Sequence, residues 1–87
     1  MTADLANRIR STSAADLVDV YCKSGCTGFY NLMTALVVLH GPESRKRNRY
    51  VAVWDLVQRL SGDSRFELRV SGGPGMFSYR VKERGLL

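Results

Sequence analysis

Apolar positions along this chain recur at helical spacing through residue 60 and at strand spacing afterwards. Leu5 and Ile9 stand four apart, which predicts a short helix over about 3–10 with Thr2 as its cap. "STS" at 11–13 interrupts it. Ser13 followed by Asp16 is an S-x-x-D capping box, and Ala14, Leu17, Val18 and Tyr21 then repeat along one stripe, so a second helix should run up to Gly25. Thr27 precedes a third, over about 28–39, whose broad apolar face is Phe29, Leu32, Met33, Leu36 and Leu39 with Val37 and Val38 on its flanks. Gly41 and Pro42 end it, because glycine releases the backbone and proline cannot continue the hydrogen-bond ladder.

A fourth helix carries Tyr50, Val53, Trp54, Val57 and Leu60 on one side and Asn48, Ala52, Asp55 and Arg59 on the other. Its start is open between Pro42 and Arg49, so 43–49 reads equally as helix or loop. "SGDS" at 61–64 closes it. Beyond that the period changes to two: Phe66, Leu68 and Val70 alternate with Glu67 and Arg69, and Phe77, Tyr79 and Val81 alternate with Ser78, Arg80 and Lys82. Two half-buried strands around "GGPG" make a hairpin in which Val70 meets Phe77, Leu68 meets Tyr79, Phe66 meets Val81 and Glu67 meets Arg80. The expectation is an α+β fold: a small domain of three to four helices followed by a C-terminal antiparallel β-hairpin. All 87 residues form one domain, with 1–12 a short helical lead, 13–82 the helical core plus hairpin, and 83–87 a tail.

Catalytic and metal chemistry find little here. The glycine-rich tip is followed by a strand rather than by a helix N-terminus, and it lacks the lysine and hydroxyl of a phosphate-gripping loop, so it serves to turn the chain. Only Cys22, Cys26 and the single His40 offer sulfur or imidazole ligands, too few for a four-ligand zinc site; neither a metal nor another cofactor is expected. The acids are scattered singly and no nucleophile, base and orienter come together in the pattern, so the chain reads as a non-enzyme. His40, at the end of the third helix, suits a structural role in which a partly protonated ring interacts with the helix dipole. Trp54 invites base stacking, but its stripe with Tyr50 and Val57 assigns it to the core.

Charge distribution changes the picture more than composition does. Residues 1–40 balance Arg8, Arg10 and Lys23 against Asp4, Asp16 and Asp19, while ten bases face five acids in 41–87, so the net +5 belongs to the second half. A basic half beside a neutral one sets up a directional field suited to a polyanion. "SRKRNRY" supplies Arg45, Lys46, Arg47, Asn48 and Arg49, and Arg59, Arg69, Arg80 and Lys82 are expected to point outward and join them as a nucleic-acid-binding surface gripping phosphates. DNA stands ahead of RNA as partner. An acidic protein surface is the alternative, and a homodimer joined through Val37, Val38 and Val51 is a third class. The longest apolar run, "LMTALVVL" at 32–39, is far below the ~20 residues a bilayer requires, so no membrane partner is expected. "MTADLANRIR" shows no apolar export segment, and a Cys22–Cys26 bridge would close a trivial loop; the expected setting is therefore a reducing compartment, cytoplasm, nucleoid or nucleus, and the chain is expected not to be secreted.

Helices followed by a hairpin with a glycine-rich, basic wing resemble the winged helix-turn-helix superfamily over roughly residues 14–82. The resemblance implies a recognition helix at 49–60 entering the major groove and exposing Asn48, Arg49, Asp55 and Arg59. It also implies a wing, 66–82, whose Arg69, Arg80 and Lys82 touch the neighbouring backbone, with "GGPGM" at its tip nearest phosphate.

Overall fold

The computed structural model describes residues 2–70 and 76–82. The Thr2 side-chain cap, the GGPG tip and the 83–87 tail, all expected from sequence, lie outside the described residues. Helix α1 spans Thr2–Arg10 and α2 spans Ala14–Ser24. At the start of α2 the Ser13 hydroxyl accepts a hydrogen bond from the Asp16 N–H at 3.0 Å, satisfying one of the N–H groups that the first turn leaves unpaired. Gly25 ends the helix in the left-handed region, φ 75°, where a Cβ would be strained.

Between Gly25 and the apolar run the chain departs from expectation. Residues 28–31 do not begin the third helix. Tyr30–Asn31 form a short strand, β1, and α3 occupies Leu32–His40. The reason is local: Asn31 is the cap, its Oδ1 accepting from the Thr34 N–H at 3.0 Å, and a capping residue sits in extended backbone, which the neighbouring sheet then pairs. Gly41 follows with φ 102°. Residues 43–49 turn out to be neither loop nor α-helix but two 3-10 turns, Pro42–Arg45 and Arg47–Arg49. Helix α4 runs Tyr50–Leu60, and strands β2, Phe66–Val70, and β3, Phe77–Val81, complete the chain.

β3 lies in the middle of a three-stranded antiparallel sheet of order β1-β3-β2. The hairpin pairs Phe66 with Val81, Glu67 with Arg80, Leu68 with Tyr79, Arg69 with Ser78 and Val70 with Phe77, as the alternation predicts. β1 adds Tyr30 opposite Tyr79 and Asn31 opposite Ser78. The architecture is thus α+β, four helices and an antiparallel sheet around one core.

That core joins every helix to the sheet. Leu5 and Ile9 of α1, Leu17, Val20 and Tyr21 of α2, Leu32, Met33, Ala35 and Leu36 of α3, Ala52, Val53, Leu56, Val57 and Leu60 of α4, and Phe66, Phe77, Tyr79 and Val81 of the hairpin pack as one cluster, and each large aliphatic side chain so buried contributes about 1.5–3 kcal/mol. Tyr79 is fully buried and donates its hydroxyl to the Leu17 carbonyl at 2.8 Å, so its polar end is satisfied inside the core. Burial pushes its pKa well up, since a phenolate there would be desolvated.

Helix α4 is rotated relative to the expected stripe. Ala52, Val53, Leu56, Val57 and Leu60 are buried, whereas Trp54 is 47% exposed and Tyr50 only partly covered. The assignment of Trp54 to the core and of Ala52 to solvent is therefore corrected. α1 packs against α4 and supplies a second buried flank, so the apolar arc is wider than one stripe and centred nearer Ala52 and Leu56. No helix of the described residues is long and apolar enough to cross a membrane.

Candidate nucleic-acid interface

Tyr79 and Phe77 point into the core. By the pleat, Ser78 and Arg80 between and beyond them point out of the sheet, and so do their partners Glu67, Arg69 and Asn31. Asn31, Ser78 and Arg69 thus form one row across the three strands. Neighbouring strands lie roughly 4.8 Å apart, so the ends of the row are about 10 Å apart at the backbone.

Phe29, just before β1, organises the cations on this outer face. The Arg69 guanidinium stacks over its ring, 4.0 Å from the centroid, and that of Arg80 lies 5.7 Å from the same centroid. Stacking holds a planar cation without consuming its N–H donors, which for Arg69 remain available to a ligand, whereas the Arg80 Nε is buried without a hydrogen-bond partner among the described residues. Arg69 is exposed. Arg80 is ion-paired with Glu67 across the strands. Arg45, on the first 3-10 turn, reaches Thr34 rather than the row itself: its Nη2 donates to Thr34 Oγ1 at 3.0 Å, and Thr34 is the residue that Asn31 caps. Lys82, exposed at the end of β3, continues the outward alternation beyond Arg80.

Of the nine side chains expected to form one basic surface, Arg69 and Arg80 meet over Phe29, Lys82 follows them in exposed chain after β3, and Arg45 is joined to Asn31 through Thr34. Arg47 and Asn48 are exposed on the second 3-10 turn, and their side chains make no hydrogen bond or ion pair among the described residues. Lys46 is exposed and paired with Glu43 at 3.0 Å. Arg49 is not exposed as expected. It is only 6% exposed, because the turn before α4 folds it inward, and its Nε has no hydrogen-bond partner among the described residues.

Arg59 also departs from expectation. Its Nη2 donates to the carbonyls of Arg10 at 2.5 Å and Thr12 at 2.7 Å, placing a cation where the C-terminus of α1 leaves carbonyls unpaired. One turn away, Asp55 accepts from Arg10 Nε at 2.9 Å. Both charged residues on the α1 flank of α4 therefore bind α1. What α4 still presents outward is Val51, Trp54 and Gln58.

His40 differs in state from the expected dipole partner. Its Nε2 lies 3.0 Å from Thr12 Oγ1, and the Thr12 hydroxyl proton is already directed at the carbonyls of Ile9 and Arg8, 2.8 and 2.9 Å away. The hydroxyl oxygen is left to accept from the imidazole N–H. Burial first, and then nearby Arg8, lower the His40 pKa against a smaller opposing effect of Asp16, so the neutral ring is favoured.

Two contributors escaped the sequence reading. Phe29 reads in the sequence as part of an apolar helix face, and the only local signal for Asn31 is N-x-x-T directly before an apolar run, a capping pattern. Among the described residues no three His, Cys, Asp or Glu side chains gather into a group able to hold a metal. What the face can do chemically is donate: guanidinium N–H groups and a lysine ammonium suit phosphate oxygens, and the flat Arg69–Phe29 stack leaves one planar surface outward. No protein-family model, curated protein or solved structure matches the chain.

Proposed function

We propose that the chain is a small nucleic-acid-binding module, without catalytic activity, that grips phosphates through the outer face of its sheet. The observation that carries this reading is the gathering of Arg69 and Arg80 over one Phe29 ring, with Arg45 linked through Thr34 to Asn31, the β1 member of the same row. Cations far apart in sequence converge there on an exposed surface, in a chain whose net charge is +5.

The winged helix-turn-helix resemblance supports the same reading. That resemblance rests on the order of helices followed by a hairpin, and DNA is accordingly the proposed partner ahead of RNA. The contact is shifted relative to what the resemblance implies, from α4 toward the wing and the sheet, because Arg59 and Asp55 are engaged with α1. The cytoplasm, nucleoid or nucleus is the setting that goes with such a partner.

Titrating a labelled duplex and a labelled single strand at several salt concentrations tests the reading. With four phosphates neutralised, log K should fall against log salt with a slope of about −3.6 on duplex and about −2.8 on a single strand. Absent or salt-independent binding would overturn it. A defined complex with an acidic protein, in a preparation that binds neither nucleic acid, would install the alternative partner.

A further inference from the structure

Asn31, Ser78 and Arg69 are cross-strand neighbours in one row of the outer sheet face, and each keeps donors in reserve. The Asn31 Oδ1 accepts from the Thr34 N–H at 3.0 Å and from the Thr34 hydroxyl at 3.5 Å, so the cap fixes the amide and leaves its Nδ2 to donate elsewhere. Among the described residues that Nδ2, the Ser78 hydroxyl and the Arg69 guanidinium make no hydrogen bond or ion pair. Arg69 offers a face as well as an edge. One side of its plane lies on Phe29, 4.0 Å from the ring centroid, and the residue is exposed, so the opposite side of the plane looks into solvent.

Resting on the nucleic-acid reading above, we infer that this row takes single-stranded nucleic acid, with one unpaired base stacked on the open face of Arg69. Shape selects that form of the ligand. In a duplex the bases stack on one another and show only their edges within the grooves, so a duplex meets a cation lying flat on a sheet with its phosphates alone. An unpaired base brings a π-face, and a guanidinium plane is one of the surfaces on which such bases rest. Neighbouring strands lie roughly 4.8 Å apart, so a base seated on Arg69 extends across β3 above Ser78, whose side chain is short. Its edge then faces the Asn31 Nδ2, a donor that the ring nitrogen or carbonyl oxygen of any base can meet; binding is therefore tolerant of sequence. Charge completes the fit. Glu67, on the same face, is neutralised by Arg80, which leaves the N–H edge of Arg69 and the exposed Lys82 to the flanking phosphates.

Anisotropy titrations of the full chain against three labelled DNA ligands test this: a single strand of about 12 nucleotides, within the site sizes of single-strand binders, an abasic strand of equal length, and the duplex. The base-bearing strand should bind about tenfold more tightly than the abasic one, as stacking of a single base implies, with the same salt slope on both. At high salt, where phosphate contacts fade, it should also outcompete the duplex. Arg69→Lys, which keeps the charge and removes the plane, should close the gap between the two strands and leave the slope unchanged. Equal affinity for the base-bearing and abasic strands overturns the inference while nucleic-acid binding stands, as does a gap that survives Arg69→Lys or a duplex that wins at every salt concentration. Failure of all three ligands to bind overturns the underlying reading with it.

Discussion

Two arginine-bearing regions of this molecule use the same side chain in opposite ways. Against α1, Arg59 is directed at the carbonyls of Arg10 and Thr12, and Arg10 in turn holds Asp55. On the outer sheet face, Arg69 lies flat on Phe29 with its donors open to solvent. A guanidinium among backbone carbonyls is spent on the fold, whereas one stacked on an aromatic ring is positioned but unspent. Net charge alone cannot distinguish the two, so the +5 of the chain overstates what a polyanion would meet.

Arg59→Ala should produce the largest change in stability. Losing charge-assisted bonds to two carbonyls should cost about 1–2 kcal/mol, toward the low end because the site is partly solvated. For a domain of this size, each kcal/mol lowers the melting temperature by roughly 4–8 °C. Thermal unfolding followed by circular dichroism measures it, and the salt slope of nucleic-acid binding should not move. A variant that keeps its stability while its slope flattens would reverse the two roles.

Arg69→Ala should do the converse, at a smaller cost to the fold. An exposed cation–aromatic contact contributes about 0.5–1 kcal/mol, so the melting temperature should fall by only a few degrees. The slope of log K against log salt on duplex should shrink by about 0.9, one phosphate contact. An unchanged slope would remove Arg69 from the binding surface. Phe29→Leu, which keeps the cation but removes its platform, sharpens the comparison: weaker binding with the slope retained would show that the ring positions the charge.

The smallest expected effect is one of pH, near the junction of α1 and α3. The folded-state pKa of His40 lies below its ordinary value of 6.5, so the unfolded chain takes up a proton before the folded one does. The stability carried by the neutral ring is complete above pH 6.5, and it is lost as pH falls through the lower, folded-state pKa. Urea midpoints between pH 7.5 and 5 should therefore decline, and His40→Gln, which keeps a donor toward Thr12, should flatten that part of the profile. A profile equally steep in His40→Gln would assign the pH dependence to other groups.

What could be anticipated from the chain follows from how local the governing contacts are. Four of the five hairpin pairs are legible in the sequence, and Arg69 opposite Ser78 follows from the same register, because alternation fixes the face of every residue and loop length fixes the register. The cap at Ser13 and the terminator at Gly25 were legible because each acts within four residues. β1 was not, since two residues carry no periodicity and their partner is β3, far along the chain. The outward face of α4 was misread because α1 decides it.

The linear order of apolar, capping and turn residues determined four helices, the hairpin and its register, and the basic bias of the second half, because each of these depends on neighbours in the chain or on simple charge count. Tertiary structure alone decided which arginines are engaged and which are open: Arg59 meets carbonyls 47 and 49 positions away, and Arg69 meets a ring that the sheet brings beside it. A side chain's availability depends on the groups that surround it after folding, and those groups are not its sequence neighbours.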